Sequence, residues 1–438
     1  MQYRGFESQV ISNETASRRF KRWLLLLSLV LAVGYVTART PRQPVANDAC
    51  PLYYGARMLL HGQNPYDDDA IKAEVAREPV AACSDKIGMP LRPFLSPPLL
   101  SVTLLPIAVL PPSIGLRALN YVNLAALLIT AWLLATLGGP AWNFESRVVV
   151  ALFVLLNPAG TRALAFGQVS IIITLLMVLG LRSWFSKAPY ATALAFGLSL
   201  AKFTMSLPLV LLFAVRRSHR RAAIFMTAAV VFASILVCLP QGLEQVSHSY
   251  NANIALTTQP GGINHFADSP DADHTSLINV QRGAYVLFGR WPTLTKATTV
   301  LLWLGLLVAG GVALTTGRGR ADPRGADPRP LDLCLVSLLA LTLFYHRYYD
   351  MAMNSLVFYG LMDYRASHRL GKLGPLWWTA VGFLVVTTFE TTMAGWSRPF
   401  DWLLTGIGLQ PFGCYTSLAL VATTALVIAL ALKNRRLA

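Results

Sequence analysis

The chain has 438 residues, of which 54% are hydrophobic and only 13% charged, with a mean hydropathy of +0.50. That composition excludes a soluble globule and points to an integral membrane protein. The net charge of +16 is split into short clusters between apolar runs instead of forming one stripe, which argues against nucleic acid as a partner and makes the basic residues topology signals.

In chain order, Arg18, Arg19, Lys21 and Arg22 precede the first apolar run, 23–38, and place residues 1–22 in the cytoplasm as a tail. The run lacks a small-residue cleavage site and begins well into the chain, so it reads as a retained span and not as a cleaved leader. Further apolar runs at 114–137, 222–240, 298–315, 376–389 and 416–432 are mostly long enough to cross hydrocarbon as helices. With the shorter segments counted, roughly 11 to 13 hydrophobic stretches result, so residues 23–438 are expected to form one all-α, multi-span membrane domain.

Alternation of the basic clusters places 39–93 outside the cytoplasm, the turn Pro111-Pro112-Ser113 inside, and 138–147 outside again. The stretch 148–181 is too long for one span and is interrupted by Asn157-Pro158-Ala159-Gly160 and by Gly167-Gln168. Helix breakers there predict a half-helix followed by a full span beginning near Gln168. The apolar stretch 191–214 has Arg182 and Lys187 before it and Arg216, Arg217, Arg220 and Arg221 after it, so both ends want the cytoplasm. A re-entrant hairpin turning near Ala201-Lys202-Phe203 resolves the conflict. A polar non-cytoplasmic segment follows at about 241–296, then a span, then a Gly- and Pro-rich cytoplasmic linker at about 316–330 carrying Arg318, Arg320, Arg324 and Arg329. The apolar segments 331–345 and 351–362 flank His346-Arg347-Tyr348-Tyr349-Asp350, which puts that polar cluster at the outer membrane face or a little below it. Arg365, His368, Arg369 and Lys372 return to the cytoplasm, and Lys433, Arg435 and Arg436 keep the C-terminus there. By this count Asp48, Gln168, the 241–290 segment and the His346 cluster face one side. No internal sequence repeat is evident, so the inverted-repeat signature of many transporters is missing.

Of the five cysteines, Cys50 and Cys83 share the first non-cytoplasmic loop and could pair if that compartment is oxidising. No Cys/His spacing fits a structural zinc site. Asp271, Asp273 and His274, with His265 and Asp268 nearby, have the spacing of a divalent-cation loop, but short carboxylate clusters are common in loops.

Asp48 is an acid just beyond the first span, placed to take a proton at the membrane surface; it is equally placed to cap a helix whose apolar stripe is Leu52, Tyr53, Ala56, Leu59 and Leu60 and whose end is marked by Gly62. Lys202 is an isolated ammonium in an apolar run, which is costly unless it has a partner or a function; the plain alternative is snorkelling. His346 and Arg347 could bind phosphate oxygens while Asp350 holds their geometry, or the cluster could be a solvated turn with a structural ion pair. Arg282, within Ser276-Leu277-Ile278-Asn279-Val280-Gln281-Arg282, is a weaker candidate for an anion contact.

Taken in order, Asp48, Gly62-Gln63-Asn64-Pro65-Tyr66-Asp67, Phe94-Leu95-Ser96-Pro97-Pro98-Leu99 before a Pro-bounded span, Gly167-Gln168-Val169, Lys202 in a hairpin, and His346 to Asp350 resemble glycosyltransferase family 87. The resemblance covers residues 20–365. It implies a GT-C-type bundle with re-entrant half-helices and a non-cytoplasmic active-site face, belonging to the polyprenyl-phosphate-mannose-dependent mannosyltransferases of the cell membrane. It further implies an inverting transferase that moves a hexose, mannose being the expected sugar, from a polyprenyl-phosphate donor to a lipid or glycan acceptor. Neither a cofactor nor a metal is expected. On this resemblance Asp48 is the general base, Lys202, His346, Arg347 and Arg282 contact the donor phosphate, and Tyr54, Asn64, Tyr66, Gln168, His274 and Asp350 support them. The chain departs from the family where Leu343-Phe344-Tyr345 replaces a Ser-Pro element and where Ser96-Pro97-Pro98 stands for Tyr-Pro-Pro. The rival expectations are a transporter or lipid-linked sugar flippase, and a non-catalytic membrane subunit.

Overall fold

In hydrocarbon a chain this apolar can satisfy its amides only within helices, and the computed structural model is accordingly helical nearly throughout. It describes residues 3–40, 48–80, 83, 93–216, 219–259, 277–288, 291–315, 329–344, 346–368, 370–389 and 416–437. Helix α1 (Tyr3–Arg39) is followed by three short helices, α2 (Ala49–Leu60), α3 (Asp68–Arg77) and α4 (Pro98–Ala108), and by the long α5 (Pro112–Leu137). A broken stretch follows: α6 (Phe144–Leu156), α7 (Pro158–Phe166) and α8 (Ser170–Phe185). Helices α9 (Pro189–Ser199) and α10 (Phe203–Ala214) are joined through a 3₁₀ turn at Leu200–Lys202. Then come α11 (Arg220–Cys238), α12 (Leu243–Thr258), α13 (Val280–Phe288), α14 (Pro292–Thr315), α15 (Pro330–Leu343), α16 (Asn354–Ser367), α17 (374–389) and α18 (Thr416–Leu437). One two-residue ladder is described, β1 (Leu277–Ile278) antiparallel to β2 (His346–Arg347).

Among the described residues six helical runs are long and apolar enough to cross a bilayer: Arg18–Arg39, Pro112–Leu137, Pro189–Ala214, Arg220–Gln241, Pro292–Thr315 and Thr416–Asn434. The protein is therefore an all-α, multi-pass membrane protein, as its composition predicts. Pro189–Ala214, however, does not run straight. The rings of Phe196 and Phe213 lie 5.6 Å apart, whereas 17 residues of straight helix would separate them by about 25 Å. Ser206 Oγ also donates to the Ser199 carbonyl seven residues earlier, at 2.9 Å. Lys202, with φ −131° and ψ 72°, is where the chain leaves helical geometry. The expected hairpin is present, with Lys202 at its tip. Trp184 closes its open end by packing on Phe196, Phe213 and His219.

A second pair, α15 and α16, also doubles back. Gly360 lies so close to Cys334 Sγ and the Pro330 carbonyl that a Cβ there would sit 2.5–2.6 Å from both, and Cys334 Sγ donates to the Val357 carbonyl at 3.3 Å. The two hairpins stand side by side. Arg216 at the foot of α10 pairs with Asp332 at the foot of α15 (3.6 Å), and Lys202 pairs with Asp350 at their tips (2.5 Å). Each arm is short: the 14 residues of α15 rise about 21 Å. The tips consequently stop within the bundle.

Local contacts correct two of the expected loop placements. The Pro111 turn was expected opposite the 39–93 segment, but the Leu110 carbonyl accepts from Tyr53 OH at 2.5 Å, so the turn lies with α2. The cause is length: α4 has 11 residues, about 16 Å, with Pro106 inside it, and cannot cross. Its failure to cross inverts the next loop as well. Residues 138–147 were expected opposite Arg22, yet Glu145 lies 3.8 Å from Arg22, whose guanidinium also sits over the Phe144 ring at 5.9 Å. One end of the bundle, here the basic end, thus gathers Arg22, Glu145, Arg216, Arg329, Arg365 and the close of α18, where Tyr364 OH donates to Asn434. The other, the loop end, carries α2 to α4 and α12. The stretch 148–181 breaks where the helix breakers stand, at Asn157 and Gly167, with a bend of 40° between α6 and α7. The full span expected after Gln168 is instead the 16-residue α8, about 24 Å long. Residues 316–328, most of the expected linker, lie outside the described residues.

At the loop end, Cys50 and Cys83 form a disulfide across 33 positions of sequence. Closing a loop of that size restricts the unfolded chain, a contribution of about 4 kcal/mol. Replacing both cysteines with serine is expected to lower the midpoint of thermal unfolding measured by tryptophan fluorescence in detergent; an unchanged midpoint would show that the segment is held without the bridge.

Candidate active site

The tip of the second hairpin is built around Asp350. After α15 the chain runs extended through β2 and enters a 3₁₀ turn, Tyr348–Met353, which brings Asp350 back over the residues before it. Its Oδ2 accepts from His346 Nδ1 at 3.1 Å and from the Arg347 amide at 3.4 Å. Its Oδ1 accepts from Lys202 Nζ and from Ser170 Oγ, both at 2.5 Å, while Lys202 Nζ also donates to Ser170 Oγ at 2.9 Å. One carboxylate thus ties together the start of α8, the tip of the first hairpin and the tip of the second. Asp350 is 3% exposed, so its charge survives burial only because these donors replace water.

Other segments hold the same turn. Asn157, in the break between α6 and α7, donates to the Met351 carbonyl at 3.2 Å and accepts from the Ala159 amide at 2.9 Å. From α17, the Thr388 carbonyl accepts from Tyr348 OH at 2.7 Å and Thr388 Oγ1 accepts from Asn354 at 3.0 Å. Gln168, buried, follows Gly167, whose positive φ of 64° closes α7; the Gln168 amide donates to the Ala163 carbonyl at 2.8 Å. That cap turns the chain so that Ser170 faces Asp350.

The residues expected around the donor phosphate divide into two groups. Lys202 is at the tip, with two of its three ammonium protons directed to Asp350 and Ser170. His346 is fully buried, and both ring nitrogens face oxygen, Nδ1 the Asp350 carboxylate and Nε2 the Ala340 carbonyl at 3.0 Å. In this arrangement neither nitrogen is left for a phosphate, and the imidazole serves the turn. Arg347 is joined by backbone pairing to the strand that leads into the helix of Arg282. The ladder places Leu277 opposite Arg347 and Ile278 opposite His346, and α13 begins two residues later, with Asn279 Oδ1 capping the Arg282 amide at 2.8 Å. Arg282 is stacked on Tyr285, 5.3 Å from ring centre. Sequence reasoning missed two members, Ser170 and Arg162. Arg162 projects from α7 over the Tyr348 ring at 5.1 Å, beside Arg347 in the chain. The signal that could have found it is the one that found Lys202, a lone cation inside an apolar stretch. No sequence signal distinguishes Ser170 from other serines.

Asp48, Tyr54, Asn64 and Tyr66 belong to the loop end. Asp48 holds the position before α2, as the capping alternative required, but its side chain makes no cap hydrogen bond. It is 8% exposed and lies two residues from the disulfide. Tyr54 OH donates to the Glu78 carbonyl at 2.9 Å, and burial pushes its phenol well above the usual tyrosine range. Tyr66 OH donates to the Ser96 carbonyl at 2.7 Å, Asn64 donates to Ser249 at 3.1 Å, and Asn253 donates to the Tyr66 carbonyl at 3.0 Å. These three residues fasten α2 and α3 to α12 and to the start of α4. Helix α4 packs against both α2 and the Leu200–Lys202 turn, and so connects the two groups. His265, Asp268, Asp271, Asp273 and His274 lie outside the described residues, and among the described residues no group of three or more His, Cys, Asp and Glu side chains is placed to hold a metal.

Compared with known proteins, residues 94–345 match the family model described as glycosyltransferase family 87. No curated protein and no solved structure matches. The matched span contains Arg162, Gln168, Ser170, Lys202 and Arg282; Asp48 precedes it and His346 to Asp350 follow it directly.

Asp350→Ala should leave the Lys202 ammonium without its carboxylate in a low-dielectric interior, and is expected to destabilise the protein by about 3–5 kcal/mol. The double variant Asp350→Leu with Lys202→Met should recover much of that loss. A thermal-unfolding double-mutant cycle measures the coupling, and additive losses would show that the two groups act independently.

Proposed function

Because the chain belongs to glycosyltransferase family 87 and is a multi-pass membrane protein, we propose that it transfers a hexose, with mannose the first sugar to test, from a polyprenyl-phosphate donor to a lipid or glycan acceptor at the loop end of the bundle. In this reading the basic end faces the cytoplasm, residues 23–438 act as one domain, and the enzyme resides in the cell membrane. Arg22, Arg216 and Arg365 cluster at that end, as the positive-inside rule requires, and the Cys50–Cys83 bridge suits an oxidising compartment at the other.

The observation that carries the proposal is Arg162 lying over the Tyr348 ring beside Arg347, on a turn immobilised by Asp350, with the strand paired to Arg347 leading directly into the helix that carries Arg282. A polyprenyl phosphate leaves as an anion. Preorganised guanidinium groups can stabilise that charge as it develops, so no acid is needed to protonate the leaving oxygen. Asp48 takes the proton from the acceptor hydroxyl. The hydroxyl oxygen forms a bond to the anomeric carbon on the face opposite the phosphate, and the bond from that carbon to the phosphate oxygen breaks, which inverts the centre. Lys202 and His346 act through Asp350, by holding the turn in place.

Asp48→Asn is expected to lower kcat by about 10²–10⁴ while leaving the fold intact. Incubation of purified protein with labelled polyprenyl-phosphate-mannose and a panel of acceptors measures this, and equal turnover in the variant would remove Asp48 from the chemistry. Arg347→Gln and Arg162→Gln should each weaken donor binding about tenfold or more, the worth of a charge-assisted hydrogen bond. Unchanged donor affinity in both would move the phosphate site elsewhere.

A further inference from the structure

At the basic end, away from the Asp350 turn, a cleft of about 450 Å³ opens between the N-terminal turns of α6, the C-terminal half of α16 and the start of α17. Its lining changes character with depth. At the mouth are Glu145 and Ser146 from α6, Arg365 from the last turn of α16 and Trp378 from α17; Val149, Phe358, Met362 and Val381 form the floor. Phe358 and Arg365 are seven residues apart on one helix, so the apolar floor lies about 10 Å below the charged mouth. Arg365 is held at the mouth by cation–π contact with two rings, its guanidinium 5.1 Å from the Trp377 ring centre and 5.2 Å from that of Trp378. Trp377 is itself fixed, fully buried and donating from Nε1 to the Leu361 carbonyl at 2.9 Å, whereas Trp378 is 57% exposed at the rim. A cation–π contact is made by the charge of the guanidinium and not by conventional hydrogen bonds, so it is compatible with N–H donation to an anion. Arg22, next to Glu145, offsets the one carboxylate at the mouth.

A cation at the mouth of an apolar slot, rimmed by an interfacial tryptophan, matches an amphiphile standing along the membrane normal. We propose that this cleft binds one glycerophospholipid from the leaflet at the basic end, its phosphate on the edge of Arg365 and an acyl chain along Val149, Phe358, Met362 and Val381. The cleft volume is in the range of small-ligand sites and takes part of one lipid. A free phosphate would leave the apolar floor unused. Occupancy would join α6 and α16 to α17, and those helices carry Asn157 and Thr388, two supports of the Asp350 turn, at or just beyond their far ends.

The test uses the full-length protein purified in phospholipid-free detergent and titrated with phosphatidylglycerol carrying brominated acyl chains, which quench nearby tryptophans. The part of the quenching that Trp378→Phe removes reports this cleft. Saturable quenching is expected in the unaltered protein, with the half-saturation point raised about tenfold or more in Arg365→Gln. Val381→Trp, which fills the floor and leaves Arg365 in place, should abolish the Trp378-dependent part; it decides the question if Arg365→Gln does not fold. Glycerol phosphate at the same concentrations should not compete. Identical titrations in the unaltered protein and both cleft variants would overturn the proposal, and so would competition by glycerol phosphate, which would make the site one for a free anion.

Discussion

The buried carboxylate of Asp350 is the interaction on which the remainder of this structure depends. Moving a charge into a protein interior costs several kcal/mol unless donors replace the lost water. Here the donors come from residues far apart in the chain: Ser170 opening α8, Lys202 at the first hairpin tip, and His346 with the Arg347 amide at the second. No single helix could satisfy Asp350, so the segments are obliged to meet. A half-satisfied network would be worse than an apolar core, which gives the junction a strong preference for one geometry.

Two short hairpins make such a junction possible. A helix that crosses the membrane puts its polar residues at the two surfaces, whereas a helix that turns back after about 20 Å delivers its tip to the interior. The α9–α10 and α15–α16 pairs both do this from the basic end, where Arg216 and Asp332 fasten their feet. Around the tips, Arg162 of α7 lies over Tyr348 beside Arg347 of β2, and the strand paired with β2 leads into α13. The loop end is made differently, by the disulfide and by side-chain contacts from Tyr54, Asn64 and Tyr66 to distant backbone and serine atoms. The bundle therefore combines a rigid polar junction with a separately fastened cover, and α4 touches both. In the proposed reaction, that division would keep the arginines assigned to the donor phosphate inside the bundle and the proposed base, Asp48, at the loop end.

The amino-acid sequence by itself determined the class of protein, the helical architecture, the breaks at Asn157 and Gly167, and the hairpin at Lys202. Each follows from a local cost: apolar length that only hydrocarbon accepts, a proline or glycine that a helix excludes, and basic clusters at both ends of a single run. Loop sidedness failed where the stretch before the Pro111 turn was counted as a crossing. The stretch from Pro98 to Ala108 is apolar enough to suggest a crossing, but at 11 residues it is too short, and counting it inverted the two loops that follow. Candidate residues such as Lys202, Arg282 and Arg347 were legible because an isolated or repeated cation in an apolar chain needs a reason. Their partners were not legible. Ser170 is an ordinary serine until Asp350, 180 residues later, arrives beside it, and His346 reads as a phosphate ligand until the Ala340 carbonyl and the Asp350 carboxylate are seen to occupy both ring nitrogens. Hydrogen bonds between distant segments depend on how helices pack, and packing is decided by the shapes of many side chains at once, so only the tertiary structure could say which polar residues serve the turn.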